Sequence, residues 1–320
     1  LGVAAFGVSF FAFALALVWL CRTNRKGLPP NAKLPPVYKT GLPVIGPFLA
    51  FIADPLGCIS RARGELGSVF TINMAHMKTT VLIGSEAHKP FFEADDDDLD
   101  QAPVYRFMVP IFGKGVLYDA PLPKRKQQLR LLGKCLKPSD LRLYPSKIGH
   151  EAQMFFQAFG EKQEVDILHK MASLTILTAS ATLLGREVRE NMFENVSRLF
   201  SQMDAGISPL SVVAPTLPTP AHRARDRAHK EMIALFAKVI RDRRARQEAE
   251  GSAYKKEQDM LQMLIDANYK PETPGAQPSP IPDHEIAGML VAALFAGQHT
   301  SSITVSWTLM FLVNDHRNGG

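Results

Sequence analysis

A polar island interrupts an otherwise apolar stretch over residues 286–313. The run reads IAGMLVAALFA, then GQHTSS, then ITVSWTLMFLV. A helix that is apolar almost all round is either buried in a large core or crosses a membrane. In both settings Gly297, Gln298, His299, Thr300, Ser301 and Ser302 are costly unless they are bonded or used. Serine and threonine hydroxyls bond back to carbonyls one turn earlier and bend a helix, and Gly297 weakens the same turn. The spacing therefore predicts a kinked, buried helix presenting a hydroxyl and an imidazole to a cavity. The kind of reaction does not follow from spacing alone. A second transmembrane span is the alternative, although a His-Thr-Ser centre would be unsatisfied in lipid.

Other chemistry-bearing patterns fail on their own terms. His284-Glu285 begins like a zincin helix but lacks the second histidine four residues after the first. Gly113-Lys114-Gly115 lacks the third glycine and the strand-turn-helix setting of a dinucleotide site. No Gly-x-Ser-x-Gly elbow is present. Asn195-Val196-Ser197 fits a glycosylation sequon, which cytosolic placement would leave unmodified. Three widely spaced cysteines (Cys21, Cys58, Cys135) exclude a disulfide-stapled secreted domain and a four-cysteine metal site, and suit a reducing compartment. No metal site is expected. The acidic run at 93–100 reads as a solvated loop.

The elements that must position the island are mostly helical. With 320 residues, 46% hydrophobic and 21% charged, the chain can bury a sizeable core. Its net charge of +6 is spread thinly, without a block dense enough for nucleic acid. Helical periodicity or composition marks residues 51–65, 85–94, 124–137, 150–160, 164–184, 187–204 and a long basic helix over 221–249. Alternation at 68–74 and 79–84 predicts a hairpin. Residues 206–220 form an apolar, proline-broken connection, either buried or touching membrane. Residues 267–282 read as a loop, and Asp283, after Pro282, is placed to cap the last helix. No internal repeat is present.

Residues 1–20 carry no charge and are long enough to span a bilayer core. The positive charges come after them, at Arg22, Arg25, Lys26, Lys33 and Lys39, the reverse of a cleavable signal. Residues 1–21 are thus expected to be an uncleaved single-pass anchor with the body in the cytosol. Residues 22–46 are a basic, proline-rich linker, either plain or a rigid strut setting the body's attitude to the membrane.

The helix AGMLVAALFAGQHTSSIT closely resembles the distal helix of the cytochromes P-450, the haem-thiolate monooxygenases. Ala296-Gly297-Gln298-His299-Thr300 matches the family's acid-alcohol motif with histidine in the acidic place, a mark of the sterol 14α-demethylase subfamily. Tyr105-Arg-Phe107-Met108-Val-Pro110-Ile-Phe112-Gly113-Lys-Gly115-Val116-Leu-Tyr118-Asp119 resembles that subfamily's other motif, the segment roofing haem and substrate. The resemblance implies a mainly α fold with a small β-hairpin or sheet, the N-terminal part of the cytochrome P-450 fold over residues 47–320. It also implies a haem cofactor, a sterol substrate, an NADPH-dependent reductase as electron donor, and the endoplasmic reticulum membrane as location.

By the same resemblance, Tyr105 and Tyr118 hydrogen-bond the haem propionates, with Lys126 as a cationic partner or Arg130 in its stead. Gly297 approaches the cofactor. Phe107, Met108, Phe112, Phe295 and Ala296 line the sterol cavity, and His299 and Thr300 relay protons. Phe107 resembles the plant-like group that prefers sterols with one C4 methyl, so obtusifoliol-like substrates are expected over lanosterol-like ones.

The resemblance covers only the N-terminal two-thirds of the family. The Glu-x-x-Arg helix and the Phe-x-x-Gly…Cys loop that supplies the thiolate are expected after Trp307, where the sequence instead runs to Gly320. None of the three cysteines lies in such a loop. The expectation is a truncated chain, inactive as a monooxygenase, whose body aggregates or melts without cooperativity. The alternative from another class is a non-catalytic, membrane-anchored fragment that binds sterol or reductase, with the basic residues of 221–249 and 124–126 facing an acidic donor.

Overall fold

The computed structural model describes residues 33–40, 46–74, 77–142, 144–160, 164–271, 273 and 275–318. The expected anchor lies outside them, as does most of the linker. The described residues form two compact units, residues 33–101 with 209–214, and 102–208 with 215–318.

In the first unit, α1 (Gly46–Ala53) and α2 (Pro55–Leu66) are separate helices where periodicity predicted one. Pro55 sits at the first position of α2, and the Asp54 carboxylate caps it by accepting from the Gly57 amide at 2.9 Å. The expected hairpin forms from β1 (Val69–Met74) and β2 (Met77–Leu82), with Val69 opposite Leu82 and Met74 opposite Met77. The proline-rich strap is more than a spacer. Tyr38 donates its amide to Thr71 O and Thr71 donates to Pro36 O, both at 2.8 Å, so residues 36–38 lie along β1. Tyr38, Cys58, Ala62, Phe70 and Ile72 make this unit's core. α3 (Ser85–Glu93) follows, and the acidic run after it is exposed turns.

The second unit is built on helices α4 (Leu122–Cys135), α5 (Tyr144–Gln157), α6 (Ile167–Ala179), α7 (Arg186–Asn191), α8 (Phe193–Asp204), α9 (Pro220–Glu250), α10 (Met260–Ile265) and α11 (Asp283–Asn318). α6 ends in a π turn at Ser180–Leu184. Met192 (φ −131°) divides α7 from α8, where one helix was expected. Residues 267–282 are not wholly loop. Asn268–Tyr269 and Ser279–Pro280 pair as a minimal antiparallel ladder.

α11 is continuous from Asp283 to Asn318. Asp283 does not act as the expected cap but lies inside the first turn, where its carboxylate takes the Arg244 guanidinium at 2.6 Å. The helix changes character along its length. Residues 286–295 are almost all buried, and Ile286, Met289, Leu290 and Leu294 pack with Phe200, Met232, Phe236 and Ile240 in the main core. Between residues 297 and 315 only Gln298, Ser302 and Ser306 are buried, one turn apart, along the face that α6 covers, while Trp307, Phe311 and Val313 are exposed. The all-round burial expected for 286–313 thus holds for its first ten residues. Residues 167–184 and 283–315 are long and apolar enough to cross a membrane, yet residues 286–295 serve as core. Leu210, Val212 and Leu217 of the 206–220 connection are exposed, so the buried alternative fails for them.

Candidate active site

The segment 104–119 folds as two 3₁₀ turns, Val104–Met108 and Leu117–Asp119, around a short helix, Val109–Phe112. It is held against α11 by close packing and tied to α9 by a hydrogen bond. A Cβ at Gly288 would lie 2.2 Å from the Phe112 carbonyl oxygen, so only glycine allows this approach. His229 of α9 donates from Nδ1 to the Ile111 carbonyl at 2.8 Å, since a carbonyl can only accept. Burial pushes its pKa down, partly offset by that bond. Gly115 donates its amide to Asp119 Oδ2 at 2.8 Å.

These ties align the rings that the two motifs contribute. Tyr105 stacks on Tyr118 with centroids 4.5 Å apart and planes 13° from parallel, and Phe107 stacks on Tyr105 at 6.2 Å. Tyr118 faces Phe112 at 6.1 Å, Phe112 meets Phe295 edge-on at 6.2 Å, and Phe295 tilts against Phe200 at 4.3 Å. A continuous aromatic ladder therefore joins a segment near residue 105 to one near residue 295, as offset-stacked and edge-to-face geometry favours. Burial raises the Tyr118 pKa and neighbouring Tyr105 adds to the rise, while Arg125 pulls the other way. Tyr118 accordingly keeps its proton and stays a donor.

The polar island is placed differently from its expectation. Thr300 and Ala296 are exposed and Gly297 half-buried, with no atom within 4 Å of a Cβ built at Gly297. They form an open face beside the ladder, not the wall of a closed cavity. The Thr300 hydroxyl donates back to Ala296 O at 2.7 Å, the back-bonding that its position in a helix favours. His299 turns to another partner. Its Nε2 lies 2.8 Å from Asp204 Oδ1 at the end of α8, and both side chains are partly exposed. Asp204 carries no sequence signal beyond closing the 193–204 periodicity.

The cationic residues also separate. Lys126 is exposed on α4, as is Arg130, whereas Arg125 is buried at 4% exposure within electrostatic reach of Tyr118. The buried line of α4 is Arg125, Gln128 and Cys135, of which the first two are polar residues that no hydrophobic pattern marks. Gln128, Tyr269 and Glu285 are buried together with Lys124 half-buried at their edge, a cluster that no sequence pattern marks. In the sequence Glu285 stands only within a failed zincin pattern. The available signal was its place three residues before Gly288 and four before Met289, on the buried face of α11.

Cys58 and Cys135 are both buried. Cys135 Sγ donates to Leu131 O at 3.3 Å within its own helix. Burial raises the Cys58 pKa in α2.

A family model described as Cytochrome P450 matches residues 35–317. The chain is 43% identical over 281 residues to a sterol 14-demethylase of Arabidopsis thaliana, a match covering 88% of this chain and 55% of the relative. It is 41% identical over 312 residues to an obtusifoliol 14-alpha demethylase of Sorghum bicolor, covering 98% and 59%. It is 38% identical over 309 residues to the human lanosterol 14-alpha demethylase, covering 95% and 58%. A cyanobacterial structure, CYP120A1 with retinoic acid bound, shares the fold with a TM-score of 0.69 at 19% identity, over 89% of this chain and 61% of the other. The chain thus spans somewhat more than half the length of the curated relatives it matches.

Proposed function

The chain belongs to the cytochrome P450 family, and on that premise we propose that it carries the roof and distal helix of a sterol 14α-demethylase. The activity is oxidative removal of the sterol 14α-methyl group with electrons from an NADPH-dependent reductase. The observation that carries this reading is the aromatic ladder. It joins both subfamily-like motifs and reaches Phe295, the residue before the exposed Ala296.

The residues present fit one side of a haem. Tyr105 and Tyr118 lie side by side, Tyr118 is held in its protonated form, and the buried cation Arg125 is close to it. Two phenols and a guanidinium suit propionate carboxylates. We assign Arg125, in place of Lys126, as the cationic partner on burial and proximity to Tyr118. Bound haem would supply oxygen activation, and Cys58 and Cys135, both buried, would not give it a thiolate. Gly297 leaves room for a flat group beside α11. Phe107, Met108, Phe112 and Phe295 offer apolar and aromatic surface to a sterol. His299 holds a proton between its Nε2 and Asp204 Oδ1 at the solvent edge, and Thr300, next in the chain, carries the hydroxyl nearer the open face. We place the body on the cytosolic side of the endoplasmic reticulum membrane, anchored by residues 1–21.

A second reading, a non-catalytic sterol- or reductase-binding protein, is favoured by one observation, the seclusion of both described thiols. Sequencing the transcript beyond the codon for Gly320 separates the two. An in-frame Glu-x-x-Arg helix and cysteine loop support the demethylase, and a stop codon there favours the binder. Substrate preference is read at Phe107, whose ring crowds a second C4 methyl. In an active, complete enzyme, Phe107→Leu is expected to raise turnover of a 4,4-dimethyl sterol over a 4-monomethyl sterol by roughly tenfold, the scale of one methyl in an apolar pocket. Equal turnover of both sterols in parent and variant would remove the preference from the proposal.

A further inference from the structure

Three buried polar side chains and a partly exposed lysine, from three separate parts of the second unit, converge beneath the roof. Glu285 on α11 is 4% exposed, Gln128 on α4 fully buried, and Tyr269 of the short ladder 8% exposed, with Lys124 at the edge. A carboxylate in such a place must be fully paired. Glu285 Oε1 accepts from Lys124 Nζ at 2.6 Å. Its Oε2 accepts from the Tyr269 hydroxyl at 2.6 Å and from Gln128 Nε2 at 3.3 Å. The Lys124 ammonium also lies 5.2 Å from the centre of the Tyr269 ring.

Gln128 then reaches the roof with both ends of its amide. Its Oε1 accepts from the Leu117 amide at 2.6 Å, and its Nε2 donates to the Gly115 carbonyl at 2.9 Å and to the Tyr269 oxygen at 2.9 Å. Each direction is fixed by chemistry. A backbone N–H only donates, and a carbonyl and a carboxylate only accept, so the amide has one orientation, its two N–H groups serving Gly115 O and the Tyr269 oxygen while the longer contact with Glu285 Oε2 shares one of them. Tyr269 accepts from Gln128 and donates its hydroxyl hydrogen bond to Glu285, which closes the circuit.

The clamp holds a strained turn. Leu117 has φ +43°, the only left-handed non-glycine among the described residues. Such a conformation in a γ-branched residue persists where its surroundings enforce it. The next residue is Tyr118, whose ring completes the stack on Tyr105.

We infer that Glu285 is a positioning residue for the roof: its carboxylate orders the Gln128 amide, which holds the Gly115–Leu117 turn and so presents Tyr118 to the cofactor side. The consequence for the cofactor rests on the function proposed above, whereas the clamp itself rests on geometry alone. Glutamine cannot replace Glu285. Whichever way its amide faces, an N–H₂ meets either the Lys124 ammonium or the Gln128 N–H₂ at a site that needs acceptors on both sides.

The test is hydrogen exchange on the full chain in detergent micelles, comparing parent, Glu285→Gln and the milder Tyr269→Phe. Peptides covering 113–119 are expected to exchange about tenfold faster in Glu285→Gln and about threefold faster in Tyr269→Phe, with peptides from the middle of α9 unchanged. Unchanged exchange at 113–119 in both variants, or equal acceleration in α9, overturns the assignment. If Glu285→Gln does not fold, Tyr269→Phe decides alone. A haem titration of the parent, followed by absorbance, reads the proposed function separately. A parent that takes up no haem while the exchange pattern holds sinks that function and leaves the clamp standing. Haem uptake with unchanged exchange sinks only the clamp.

Discussion

At the scale of single residues, His229 combines a structural tie with a pH response. Its Nδ1–H donates to the Ile111 carbonyl, and burial lowers its pKa, with Arg225 and Lys230 acting the same way and Asp226 opposing. A histidine whose folded pKa lies below its unfolded value of about 6.5 contributes stability above that pH. The contribution is lost as pH falls, because the unfolded chain gains a proton that the folded one resists. His229→Ala should therefore cost about 1 kcal/mol near pH 8, the worth of one buried hydrogen bond. The gap from the parent should narrow by pH 5.5, as followed by denaturant unfolding at both values. A gap that widens on acidification would mean that His229 is charged in the folded state. Much of the site at this scale is legible in the sequence. Tyr105, Phe107, Phe112, Tyr118 and Phe295 stand in two recognisable strings, and the fold brings them into one ladder. The cations are not legible, because α4 buries Arg125 and Gln128 and exposes Leu129. A helix whose inner face is polar inverts the pattern from which burial is read. Nor does any local signal bring together Lys124 and Glu285, which lie 161 residues apart.

At the scale of elements, helix termini are the weak point of periodicity and ion pairs supply what periodicity omits. The break at Asp54-Pro55 was available from proline chemistry, and the π turn after α6 was not. α7, α9 and the start of α10 are joined through Arg243, which is fully buried. It donates to both oxygens of Asp259 at 2.8 Å and to Glu187 at 2.7 and 3.2 Å, and Arg246 joins on Glu187. Gly185 (φ +95°) makes the room, since a Cβ there would lie 2.1 Å from Arg243 Nη2. Burial alone would raise the Glu187 pKa, but the hydrogen bonds from Arg243 and Arg246 hold it down at about 2. A depressed carboxylate stabilises the fold above its unfolded pKa, and that stability disappears as pH falls towards the folded value. Allowing for solvent screening at the partly exposed edge of Glu187, its contribution is about 1–2 kcal/mol at neutral pH. Glu187→Gln should lower the melting temperature by about 3–6 °C at pH 7. The difference should fade between pH 4.5 and pH 2. Persistence of the full difference at pH 2.5 would assign the loss to packing and not to charge.

At the scale of the whole molecule, the far half of α11 displays large apolar side chains to solvent. Trp307 is 55% exposed and Phe311 67%, and Met310, Leu312 and Val313 are each more than half exposed. Trp307, Met310, Phe311 and Val313, with Leu309 and Ile167, line an open groove of about 460 Å³. A contiguous apolar surface of this kind drives association when nothing covers it. The chain contains two tryptophans, Trp19 and Trp307. Trp19→Phe therefore leaves a single fluorophore in the middle of this surface. In that background, iodide should quench Trp307 readily at low protein concentration, and quenching should weaken as concentration rises and chains meet through this face. Adding Phe311→Lys should abolish the concentration dependence, because a charge in the contact must be desolvated on association. Quenching that is weak at every concentration would mean that the face is already covered within a single chain. Concentration dependence that survives Phe311→Lys would move the contact elsewhere, to the uncharged stretch before Cys21 first of all.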